Sequence, residues 1–126
     1  MSTKLPSMIP KRSEIWLVNF DPVVGDPTVG AEIQKKRPAV VVSSDYVGIL
    51  PLKIIVPITD WSDKFTGTIW HVKINPDKVN GLTKPSAVDA LQVRSMDTSR
   101  FIHKMGCVSA NELEEIIAAI AAVIEY

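Results

Sequence analysis

The run Gln34-Lys35-Lys36-Arg37-Pro38-Ala39-Val40-Val41-Val42-Ser43 most constrains what this chain can become, because it leads three cations straight into a strand with no polar face. A residue that precedes proline is pushed toward extended geometry. Ala39-Val40-Val41-Val42 reads as a strand buried on both faces, so Arg37 enters a rigid element with little backbone freedom. A guanidinium fixed there can grip a phosphate through two parallel hydrogen bonds. Taken alone, the run also reads as a basic loop that keeps a buried strand in solution, because charge runs are usually solvated.

Length and charge narrow the setting. A chain of 126 residues with 46% hydrophobic content fits one compact domain with a real core. The single cysteine, Cys107, excludes an intramolecular disulfide. The N-terminus has no apolar core of signal-peptide length, and no uncharged apolar stretch approaches bilayer length, so a cytoplasmic protein outside the membrane is expected. The formal net charge of zero conceals an uneven distribution: residues 109–126 hold Glu112, Glu114, Glu115 and Glu125 and no lysine or arginine. The preceding part therefore carries 14 cations against 10 anions, a net of +4. That part could face a polyanion with the acidic helix turned away from it.

Residues 1–13, with Pro6 and Pro10, read as a loosely ordered lead-in, and the domain is expected to span residues 14–126. Residues 14–20 are rich in β-branched and aromatic side chains and predict a first strand. Asp21-Pro22-Val23-Val24-Gly25 is then followed by Asp26-Pro27-Thr28-Val29-Gly30, a tandem pentapeptide whose proline and glycine punctuation predicts a lengthened loop. Further strands are predicted at 38–43, 53–59, 68–74, 87–93 and 101–105, separated by Pro, Gly, Asp and Ser clusters. Short strands at such spacing predict a small β-barrel. Ser109 and Glu112 match the capping-box pattern, so a helix should start at Ala110. Leu113, Ile116, Ile117, Ile120, Val123 and Ile124 fall on one helical stripe that should cover an open end of the barrel or a partner.

Several chemistries are absent from the sequence. It has no phosphate loop, no GxGxxG, no His-x-x-x-His and no cysteine pair for zinc, so neither a metal nor a cofactor is expected. His71 and His103 each read as strand residues with an ordinary hydrogen-bonded role. What remains is a set of polar residues at strand ends. Thr59 is the first polar residue after the apolar run 54–58; a threonine there is commonly a turn former. Two buried strands paired in a small barrel would nevertheless bring Arg37 and Thr59 to one rim. Trp61 and Phe65 would lie beside them, either as base-stacking surfaces or as loop anchors packed on the core.

Five blocks in order carry a resemblance: residues 14–22 (EIWLVNFDP), 29–33 (VGAEI), 36–42 (KRPAVVV), 57–59 (PIT) and 91–97 (LQVRSMD). Together with the closing amphipathic helix they resemble the MazF/PemK family of toxin endoribonucleases, over about residues 14–126. The resemblance implies a mainly β fold with a C-terminal helix, a small SH3-like (PemK/CcdB-like) barrel that pairs as a homodimer. It implies metal-independent cleavage of single-stranded RNA within a type II toxin-antitoxin system, and an antitoxin with an acidic flexible segment that blocks the RNA groove. By position, Arg37 matches the catalytic arginine and Thr59 the catalytic threonine. Glu32 matches an acidic residue of the loop flanking the substrate, Gln92 the glutamine at the end of a later strand, and Lys35, Lys36 and Trp61 fall along the groove. The physics agrees, since attack of a ribose 2'-OH on phosphorus builds charge that a fixed guanidinium and a hydroxyl stabilise, and DNA lacks that hydroxyl.

Some relatives carry a carboxylate where this chain has Leu91. On an uninterrupted strand Asp89 would share the face of residue 91 and either reach the same groove or remain a surface acid. The general base is therefore unassigned by the sequence. A non-enzymatic gyrase poison of the CcdB type, or a degenerate barrel that only binds a partner, are the alternatives; the pairing of Arg37 with Thr59 argues for the nuclease.

Overall fold

The computed structural model describes residues 9–21 and 35–126. The expected loop duplication and Glu32 lie outside the described residues. Seven strands form one curved antiparallel sheet: β1 (Glu14–Asn19), β2 (Lys36–Val41), β3 (Leu52–Asp60), β4 (His71–Ile74), β5 (Ser86–Asp89), β6 (Arg94–Asp97) and β7 (Phe101–Cys107), followed by helix α1 (Ala110–Val123). The strand order is β4-β5-β3-β2-β1-β7, with β6 added to β3. The long β3 is shared, pairing β6 through residues 52–55 and β5 through residues 58–60. The result is the expected small barrel with a seam. Strands β4 and β7 are not paired, and the segment after β4 closes the gap instead, where Cys107 donates its backbone N–H to the Val79 carbonyl at 3.1 Å.

The sheet is buried on both faces, as the uninterrupted apolar runs predict. Ile15, Val40, Val56, Ile58, Ile74 and Val88 form one cluster that Ile116 and Ala119 of α1 complete. On the opposite face Trp16, Val18, Ala39, Val41, Ile55, Met96 and Phe101 form a second. Helix α1 begins where the capping box places it: the Ser109 hydroxyl accepts from the Glu112 N–H, and the Glu112 carboxylate accepts from the Ser109 N–H. Its buried strip is narrower than the predicted stripe. Ile117 is 36% and Ile124 64% exposed, whereas Ala119 is buried, because only residues three and four apart along one line of the helix can reach the sheet.

Two predicted strands change. Residues 68–74 begin as a turn, since Thr68 donates both its N–H and its hydroxyl to the Phe65 carbonyl, at 3.1 and 2.9 Å, and β4 starts only at His71. Residues 87–93 split: β5 ends at Asp89, whose carboxylate caps the 3-10 turn Ala90–Gln92 through the Leu91 N–H, and a separate strand, β6, follows. At the other end of the domain, Pro10 is fully buried, the Arg12 guanidinium donates to the Val42 carbonyl and the Ser13 N–H donates to the Val41 carbonyl at 2.8 Å.

Candidate functional site

Strand register brings the predicted pair together. The β2–β3 ladder runs Val41↔Ile55, Val40↔Val56, Ala39↔Pro57. Continued by two residues, it sets Arg37 level with Thr59. Arg37 is also paired with Val18, Thr59 with Ala87, and Ala87 in turn with Lys73. A row Val18, Arg37, Thr59, Ala87, Lys73 therefore crosses five strands on one face, because residues directly opposite in antiparallel strands share a side of the sheet. Residues two along in β5 and β4, Asp89 and His71, fall on that same face and pair with each other.

The electrostatics of the row are cationic. Arg37 is half-buried at the start of the strand, and among the described residues no carboxylate is paired with its guanidinium. The Thr59 hydroxyl lies 3.5 Å from the Asp60 carbonyl, beyond the usual range for an O–H···O bond, so it is available to a ligand. Lys36 is exposed and turned to the other face from Arg37. Lys35 is exposed at φ +70°, held by its N–H on the Asp21 carboxylate at 2.8 Å and by its carbonyl on the Phe20 N–H.

The loop after β3 supplies the aromatic wall. Trp61, half-buried, meets Phe65 edge to face with centroids 5.7 Å apart and takes the Lys73 ammonium over its ring at 5.1 Å. Phe65 stacks on His71 with centroids 3.8 Å apart and planes 13° apart. Trp61 is thus both a loop anchor and part of the surface beside Thr59. Gln92 ends the 3-10 turn rather than a strand, and its amide donates to Asp89 Oδ2 at 3.1 Å. Asp89 and Leu91 do not share a strand face: Leu91 is 61% exposed on the turn, while the Asp89 side chain is 14% exposed and engaged with Gln92 and His71.

Comparison with known proteins decides what carries this arrangement. Residues 11–124 match the family described as PemK-like, MazF-like toxin of type II toxin-antitoxin system. The chain belongs to that toxin family. It is 31% identical over 122 residues to "Endoribonuclease MazF9" of Mycobacterium tuberculosis, covering 87% of this chain and 92% of that protein. MazF of Deinococcus radiodurans is similar in structure, with a TM-score of 0.73, 25% identity and coverage of 93% of this chain and 97% of that one. A MazE-MazF crystal form from the same organism gives a TM-score of 0.69 at 25% identity, over 93% and 96% of the two chains. Among the described residues no helix is long and apolar enough to cross a membrane.

Three residues beside the Arg37 and Thr59 row do not stand out in the sequence. Thr68 and Lys73 were unmarked, and His71 was given an ordinary strand role. The hydrogen bond to Thr68 fits that role, but the stack on Phe65 and the Asp89 carboxylate 3.9 Å from Nε2 place His71 at the centre of the cluster. The available signal was the alternation of His71 and Lys73, which puts two basic side chains on one strand face.

Proposed function

We propose that the protein is the toxin of a type II pair and cleaves single-stranded RNA at the row containing Arg37 and Thr59. What carries this reading is the β2–β3 ladder, which, continued two residues past Ala39↔Pro57, sets Arg37 level with Thr59 beside an aromatic wall. In the reaction the ribose 2'-oxygen bonds to the adjacent phosphorus, giving up its proton, as the bond from phosphorus to the 5'-oxygen breaks and that oxygen takes a proton. The products are a 2',3'-cyclic phosphate and a 5'-hydroxyl. Arg37 and Thr59 bind the phosphoryl oxygens as charge develops there. Lys73, on the same face of the sheet as Arg37, extends the positive field, and Trp61 and Phe65 offer faces to bases. A barrel that only bound a protein would have no use for the guanidinium and hydroxyl at one level.

The reading is tested by incubating the purified protein with a long RNA in EDTA and analysing the ends. Cyclic phosphate and 5'-hydroxyl ends from wild type, with a loss of ~10²- to 10³-fold in Arg37→Ala, are expected. Full-rate cleavage by a folded Arg37→Ala variant would remove this residue from the mechanism.

The same reading includes a cytoplasmic homodimer and an antitoxin whose acidic, flexible segment lies over Lys35, Lys36 and Arg37. Tyr46, Ile49 and Leu50, between β2 and β3, and Leu52 and Ile54, on the part of β3 that pairs β6, are 100%, 92%, 58%, 48% and 44% exposed. An apolar surface of this extent suits a second copy of the chain. The MazE-MazF complexes of Deinococcus radiodurans lend their architecture to the antitoxin assignment.

A further inference from the structure

His71 is the point where loop, sheet and turn meet. One ring face lies on Phe65, Nδ1 is 2.8 Å from the Thr68 hydroxyl oxygen and Nε2 is 3.9 Å from Asp89 Oδ2, with the His71 side chain 8% exposed. The Thr68 hydroxyl lies within hydrogen-bond distance of both the Phe65 carbonyl, at 2.9 Å, and His71 Nδ1, so the ring is tied into the loop through Nδ1, and Nε2 faces the Asp89 carboxylate. Burial pushes the imidazole below its ordinary value of 6.5 and outweighs the opposite pull of Asp89, so the neutral ring is the form present near pH 7. Of the ionisable groups on β5, the loop, the Ala90–Gln92 turn and α1, Asp89 is the one that acts on the ring among the described residues; Lys73, on the same strand, lies over Trp61.

Asp89, in turn, holds the other side of the site. Its Oδ2 accepts from the Gln92 amide at 3.1 Å and its Oδ1 from the Leu91 N–H at 3.1 Å. We propose that His71 is a positioning residue for RNA cleavage: stacked on Phe65, hydrogen-bonded to Thr68 and paired across the strands with Asp89, the neutral ring packs the aromatic loop of residues 61–68 against the segment bearing Asp89 and Gln92, and so fixes what surrounds Thr59. The loop grows directly out of β3 one residue after Thr59, so its orientation sets what the hydroxyl and the base-stacking faces present. Protonation puts a positive charge beside Asp89, and the resulting ion pair competes with Gln92 for Oδ2. Cleavage should therefore decline as pH falls below 6.5, the ordinary histidine value, toward the lowered value in the fold.

This inference rests on the Arg37 and Thr59 site, and the test separates the two. Single-turnover cleavage of one defined RNA is followed from acid to neutral pH with wild type, His71→Ala, His71→Asn and Arg37→Ala, alongside RNA binding and circular dichroism. His71→Ala should lose about 10²-fold in rate at saturating RNA, as misplacement by about 1 Å does, with binding little changed. His71→Asn keeps a hydrogen-bonding amide toward Thr68 but no titrating nitrogen, so it should recover most of the neutral-pH rate and lose the acid decline. If folded His71→Ala cleaves like wild type while Arg37→Ala is inactive, the positioning role is wrong and the site stands. An acid decline that persists unchanged in His71→Asn also overturns it. Full activity in Arg37→Ala removes the site and this inference together. Should His71→Ala fail to fold, the pH profile of His71→Asn against wild type decides.

Discussion

Arg37 is held by backbone before it is held by chemistry. Proline at 38 keeps it extended, and pairing with Val18 fixes its side of the sheet. A flexible ammonium cannot reproduce two parallel donors on a phosphate, so Arg37→Lys should recover little of the activity lost in Arg37→Ala, as initial rates on one RNA substrate will show. Thr59 contributes a hydroxyl with no strong partner of its own. Thr59→Ser should therefore cleave at close to the wild-type rate, whereas Thr59→Ala should be slower by ~10²-fold, the scale set by loss of one donor to the developing charge. A Thr59→Ser variant as slow as Thr59→Ala would show that the methyl group and not the hydroxyl matters.

At the level of elements, the barrel depends on the seam between the β4 side and β7. Asn80 is fully buried there: its amide donates to the Asn75 carbonyl at 2.8 Å and its Oδ1 accepts from the Leu82 N–H at 2.9 Å. Gly106 lets the two sides approach so closely that a Cβ would collide with the Val79 carbonyl and the Asn80 backbone. Gly106→Ala should cost about 1–3 kcal/mol, as overpacking does, read as a lower midpoint in urea. Ser109→Ala removes one half of the capping box and should cost about 1 kcal/mol, with far-UV dichroism reporting a frayed helix start. Equal midpoints for wild type and Gly106→Ala would mean the seam opens without penalty. Burial of His71 in neutral form also links folding to pH. The unfolded chain binds a proton there at higher pH than the fold does, so this contribution is complete above 6.5 and is lost as pH falls toward the lowered folded value.

For the whole molecule, charge and apolar surface point to two different partners. Leu52 and Ile54 lie on the part of β3 that pairs β6, away from the Thr59 end of that strand. Leu52→Glu with Ile54→Glu should yield a monomer by light scattering at micromolar concentration, and a dimer of unchanged mass would place the self-interface elsewhere. In the proposed function the cationic run meets the antitoxin as well as RNA. Binding of the cognate antitoxin should weaken as salt rises, and more steeply for wild type than for a variant with Lys35 and Lys36 changed to glutamine. Equal affinities at every salt concentration would move the inhibitor away from the RNA groove.

The elements that alternate or run apolar without a break were legible in the chain itself: β1, β2 and β3, the capped start of α1, and the cationic entry at Arg37 are all set by local propensity and burial demand. The adjacency of β2 and β3 was legible too, once two buried apolar runs were taken as neighbours. The split of residues 87–93 was not, because Asp89 caps a turn only where β5 runs out beside His71, and that choice depends on a residue far away in sequence. The same holds for His71. Its bond to Thr68, its stack on Phe65 and its facing carboxylate join the loop, β4 and β5, which meet only when the sheet curls. Sequence fixes what one segment prefers by itself; hydrogen-bond partners and burial across segments exist only in the folded chain, where they surround a histidine that reads as ordinary.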